Sequence, residues 1–166
     1  MAKVTAEPTN AQEMDFAVVS EDYSRYLIIK DGTTLKIKIV VRKILRVGDI
    51  TPQGYPQAIG LDSINVITAI VPPAARGPPS NEQFDITREV GEEVKFEPIE
   101  EKTQEYVTPD GYKITVRPVV TKVIKYKKFN SLGEPVYNAT IQAITNMERF
   151  VTTATSRNPS VTPIGP

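Results

Sequence analysis

The sequence predicts an all-β protein made by tandem duplication of one small meander-like, barrel-like unit with strongly bent antiparallel strands. Two Asp-Gly turn signals, Asp31-Gly32 and Asp110-Gly111, each precede a long run in which apolar and basic residues alternate. The two regions match one another without a gap. No stretch carries the spacing of a long amphipathic helix.

The first copy begins with a short apolar run at Phe16-Ala17-Val18-Val19, a polar turn, and a second run at Tyr26-Leu27-Ile28-Ile29 that ends in Asp31-Gly32. Asp-Gly tolerates the positive φ angles of a tight hairpin, so a strand, a turn and a returning strand are expected. The returning strand, about Thr33 to Val47, points Leu35, Ile37, Ile39 and Val41 to one side and Lys36, Lys38 and Arg42 to the other. That period of two marks a sheet with one wet face. The phase breaks after Val40-Val41, because Ile44 and Leu45 no longer fit it, and a bulge at the paired valines accounts for the break. A Gly-x-Pro turn at Gly54 to Pro56 then leads into a long return strand.

Overlaying Asp31 to Pro56 on Asp110 to Pro135, at an offset of 79, gives seven identities in 26 positions. Val40-Val41 falls on Val119-Val120, so the second long strand, about Tyr112 to Tyr126, breaks phase at the same place. Upstream, with one residue of slip, Phe16 falls on Phe96, Glu21 on Glu101 and Tyr26 on Tyr106. Downstream, with a slip of two, Ser63 to Thr68 falls on Thr140 to Thr145. Pro118 cannot donate a ladder hydrogen bond, which directs it to an edge or to the bulge.

These matches divide the chain into an N-terminal arm (1–12), a first β unit (13–71), a proline-rich then acidic linker (72–92), a second β unit (93–151) and a flexible Pro/Thr/Ser-rich tail (152–166). A unit of about 55 residues is marginal alone, so two in one chain are expected to stabilise each other by packing face to face.

Composition removes whole classes of chemistry. The chain has no His and no Cys, which excludes Ser-His-Asp triads, thiolate metal sites, disulfides and a cysteine nucleophile. No catalytic residue, cofactor or metal ligand is expected. Glu21 and Glu101 are matched carboxylates, and nothing else in the sequence supports their acting as a paired acid and base. The first ten residues lack the basic start and apolar run of a signal peptide, and no stretch is long enough to span a membrane, which predicts a cytoplasmic protein.

With 20 basic and 20 acidic residues the formal net charge is zero, so any attraction to nucleic acid must come from local asymmetry. The matched cations Lys38 with Arg117, Lys43 with Lys122, and Arg46 with Lys125 form a duplicated basic stripe suited to a phosphate backbone. Lysines on an exposed strand also discourage edge-to-edge aggregation, and an acidic block from Glu82 to Glu105 opposes the stripe with nine acids against three bases. The sequence therefore points first to a non-enzymatic scaffold acting through protein contacts, as a homo-oligomer or in a larger complex. The second expectation is nucleic-acid binding through the six stripe cations, with no membrane partner.

Overall fold

The computed structural model describes residues 11–50, 52 and 56–149, so the expectations for residues 1–10 and for the tail 152–166 lie outside the described residues. In chain order the elements are β1 (Gln12–Met14), β2 (Ala17–Ser20), β3 (Ser24–Ile28), β4 (Thr34–Ile50), β5 (Pro56–Ile70), a 3-10 turn (Pro73–Ala75), β6 (Gly91–Glu93), β7 (Phe96–Glu100), β8 (Gln104–Val107), β9 (Tyr112–Phe129) and β10 (Pro135–Arg149). The described residues form two antiparallel five-stranded sheets. No helix among them is long and apolar enough to cross a membrane.

Both long strands begin as the turn chemistry requires. Gly32 and Gly111 take positive φ angles of 77° and 96°, a region that strains residues with a Cβ. Asp31 Oδ1 accepts from the Thr33 amide at 2.9 Å, which closes the first turn. Along β4, alternation buries Leu35, Ile37, Ile39 and Val41. The pairing of β4 with β5 then shifts register between Val41 and Lys43, and that of β9 with β10 shifts between Val120 and Lys122. The expected phase breaks are therefore irregularities in the ladder just after the paired valines. Pro118 lies where β9 has one neighbour only, between the end of its pairing with β8 at Val116 and the start of its pairing with β6 at Ile124. No donor is needed on that side.

The meander expectation needs correction. β3, β4 and β5 pair in succession, as do β8, β9 and β10, but β2 and β7 leave their neighbours in sequence. β2 pairs with β8, Val18 standing opposite Tyr106, while β7 pairs with β3, Pro98 standing opposite Tyr26. One sheet runs β10, β9, β8, β2 with β6 also on β9; the other runs β1, β4, β3, β7 with β5 also on β4. Each half of the chain thus supplies the outermost strand of the other half's sheet. Both sheets stay open, so the fold is two packed sheets rather than a closed barrel.

The core is shared in the same crosswise way. One cluster joins Met14, Ile39, Val41 and Ile44 to Tyr106, Tyr112, Ile114 and Val116. The other joins Tyr26, Ile28, Leu35 and Ile37 to Val94, Val120 and Val123. The first part of β4 therefore packs with the second part of β9, and the second part of β4 with the first part of β9. Fully burying side chains of this size contributes about 1.5–3 kcal/mol each, and neither half completes a cluster without the other.

The linker does not run free between the halves. Gly77 N donates to Gly133 O at 2.9 Å and Ser80 N to Asn130 O at 3.0 Å, laying the segment on the turn between β9 and β10. A Cβ at Gly77 would come within 2.4 Å of the Phe129 ring, so only glycine allows this approach. Gly77→Val is expected to lift the segment off the turn and to open it to limited proteolysis near Pro78 while the melting temperature changes little. An unchanged cleavage rate would contradict that seating.

Candidate interaction surfaces

The irregularity after Val41 governs the basic stripe, because it moves the cations to different sides of one strand. Lys36 and Lys38 stand on the outer face, where both ammonium groups lie 4.6 Å from the ring centre of Tyr23. Past the register shift, Arg46 takes the side of buried Ile44, and Lys125 takes that of buried Val123. Lys43, exposed, sits 3.5 Å from Glu13. Arg117 and Lys122 are exposed on β9. The six stripe residues do not converge on one surface.

Two of them join the halves instead. Lys125 Nζ donates to Asp31 Oδ2 at 2.8 Å, and Arg46 Nη1 lies 3.6 Å from Asp110 Oδ2. Each cation thus meets the turn aspartate of the opposite half. The environments differ: the Asp31 side chain is 8% exposed and that of Asp110 is 52% exposed. Asp31 also accepts from the Tyr137 hydroxyl, which contacts Thr33 Oγ1 at 3.1 Å. Burial opposes ionisation of Asp31, but hydrogen bonds from Lys125, Tyr137 and Thr33 outweigh it and hold the carboxyl below its ordinary value of 3.8. The acidic block engages other bases, with Lys128 near Glu82 and Glu89 and Lys113 near Glu105.

Glu21 and Glu101 act separately, each as the acceptor of a tyrosine from the other half. Tyr106 donates to Glu21 at 2.7 Å and Tyr26 donates to Glu101 at 2.9 Å. Buried Gln104 extends the first contact. Its Oε1 accepts from Ile39 N at 2.9 Å, and its Nε2 lies 2.5 Å from Ile39 O and 2.7 Å from the Tyr106 hydroxyl. Glu21 also accepts from Val41 N at 3.3 Å. These two amides lie on β4 beyond its last pairing with β3 at Ile37, where side chains replace the missing strand. Burial, and then the bond to its glutamate, raises the pKa of each tyrosine well above the usual 10. The arrangement favours the neutral tyrosine in each pair and ties one half of the chain to the other.

An open groove of about 950 Å³ lies between the linker and the end of β9. Glu82, Asp85, Arg88, Glu89, Lys127 and Lys128 line it, so both signs of charge are mixed and no single ligand charge is favoured. Apolar groups remain outside: Val18 and Val19 on β2, Ile99 on β7, Ile64 and Ile70 on β5, and Ile144 on β10 are exposed. The surplus of apolar residues in each half is legible in the sequence, but which of them face outward depends on sheet order. The chain matches no protein-family model, no curated protein and no solved structure.

Proposed function

We propose that the chain is two copies of one unit fused as a pseudo-dimer, and that it serves as a non-enzymatic assembly scaffold working through protein contacts. The duplication reading is supported by the reciprocal exchange of β2 and β7 and by the matched locks Tyr106 to Glu21 and Tyr26 to Glu101. The observation that carries the scaffold reading is where the side chains go. The cations and carboxylates best placed for chemistry are engaged between the halves, while isoleucines and valines stay on the outer strands. An outward-facing apolar surface on strands that have room for a neighbour is the ordinary requirement of a protein interface.

Light scattering at tens of micromolar tests this, with a mass above the 18.4 kDa of one chain expected. The association should change little between low and high salt, because apolar contacts are not screened. A gel shift with generic single and double strands at low salt supplies the opposing outcome. A single-chain mass together with nucleic-acid binding that weakens steeply as salt rises would replace the scaffold by the duplicated basic strands.

A further inference from the structure

We propose that β5 and β10 are the two assembly edges of this protein, and that a second copy of the chain adds a strand to each of them. The inference rests on the scaffold reading and adds to it the contact surface, the partner and the mode of pairing.

Among the described residues β5 pairs with β4 alone and β10 with β9 alone. Each is 15 residues long and, among the described residues, has no hydrogen-bonded strand on its other side; the two approach each other where residues 67–69 and 135–137 line one depression. An antiparallel strand directs alternate N–H and C=O groups to that open side, about 50 Å of template at roughly 3.4 Å per residue. Natural sheets guard such edges with lysine, inner proline, short length or a covering segment. β5 and β10 lack the first three. Asp62 is the sole charge on β5, no charge occurs on β10 before Glu148, and the prolines are confined to the first positions, Pro56 and Pro135.

The outer strands that cross between the halves, β2 and β7, are built differently. β2 has four residues and β7 five, and β7 carries Glu97, Pro98 and Glu100. Charge, proline and shortness thus protect the edges created by the exchange, while among the described residues the long ones carry none of these guards. Opposite the outward positions Val40 and Arg117, Ile64 and Ile144 are 45% and 46% exposed. A strand laid alongside would cover them.

A second copy is the occupant these edges fit. An edge with so few charges selects no highly charged peptide, and a chain with zero net charge has no overall repulsion to oppose meeting itself. Each copy carries two bare edges, so one pairing leaves another free, and assembly continues as a chain or closes as a ring.

Sedimentation velocity over a concentration series, with Ile64→Lys, Ile144→Lys and the double variant, tests the inference. Both side chains are half exposed and point away from the core, so lysine there is expected to leave the fold intact. Thr68→Lys and Gln142→Lys, on the same outer faces, serve as a second pair should either variant fold poorly. The wild type is expected to grow in mass with concentration, each single variant to stop at one or two chains, and the double variant to stay a single chain. A double variant that associates like the wild type overturns the edge assignment and leaves the scaffold reading standing. A wild type that remains one chain at every concentration overturns both.

Discussion

Raising the pH above 10 is expected to destabilise the protein by about 3 kcal/mol per pH unit through Tyr26 and Tyr106 alone. Both rings are buried, and each hydroxyl donates to a carboxylate of the opposite half. In the unfolded chain these tyrosines lose their protons near pH 10, whereas burial and the neighbouring glutamate keep them protonated in the fold. The folded state therefore holds protons that the unfolded state has released. This contribution is fully present below pH 10 and is lost as the pH climbs toward the folded pKa. Each group adds about 1.4 kcal/mol per unit, and Tyr137, held in the same way by Asp31, adds in the same direction. Urea titrations across this range should show a falling midpoint at constant slope, and tyrosinate absorbance should appear together with the loss of β circular dichroism. Full tyrosinate absorbance in a protein that remains folded and equally stable would be incompatible with these locks. Tyr106→Phe should flatten the alkaline slope by about half of the two-tyrosine value. It should also cost about 1–3 kcal/mol at neutral pH, because Glu21 and Gln104 lose a buried partner.

The signal for these locks was already present in the sequence. Glu21 and Tyr26 recur as Glu101 and Tyr106 at one constant spacing, which marked the positions but not the partners. Local features were legible for local reasons: Asp-Gly specifies its own turn, and alternation specifies which residues of a strand share a face. The exchange of β2 and β7 was not legible, because a strand of four or five residues has no pattern that says which sheet it joins. The placement of the cations was not legible for a related reason. A stripe counted along the sequence assumes one face, and the register shift after Val41 sends Arg46 inward toward Asp110. Downstream, the best sequence match set Ser63 on Thr140. The ladders instead place Ser63 opposite Val41 and Ile141 opposite Val120, so the structural correspondence differs from the best match by one residue. A slip of one exchanges the two faces of a strand, and composition alone cannot detect it.

Asp31 and Asp110 occupy the same place in the two turns, yet removing their carboxylates should have very different consequences. The Asp31 carboxylate accepts from Lys125, Tyr137 and the Thr33 amide and is nearly buried. Asp31→Ala leaves the partly buried Lys125 ammonium and the Tyr137 hydroxyl without their acceptor while also opening the turn. The expected loss is roughly 2–4 kcal/mol, a fall of about 5–15 °C in melting temperature for a chain of this size. Asp110 is half exposed and meets Arg46 at 3.6 Å, so Asp110→Ala should cost no more than about 1 kcal/mol. The acid limb provides an independent check. Because the folded pKa of Asp31 is lowered, its contribution is present above the unfolded value near 4 and disappears as the pH falls through the folded one. Thermal melts between pH 6 and pH 2 should therefore show a wild-type loss that Asp31→Asn largely lacks. Equal costs for the two alanine variants, or an acid limb of Asp31→Asn identical to that of the wild type, would mean that the Lys125–Asp31–Tyr137 cluster does not hold the halves together. An unequal pair would locate the principal electrostatic lock between the halves at one turn, and would show that two similar turns have come to carry different loads.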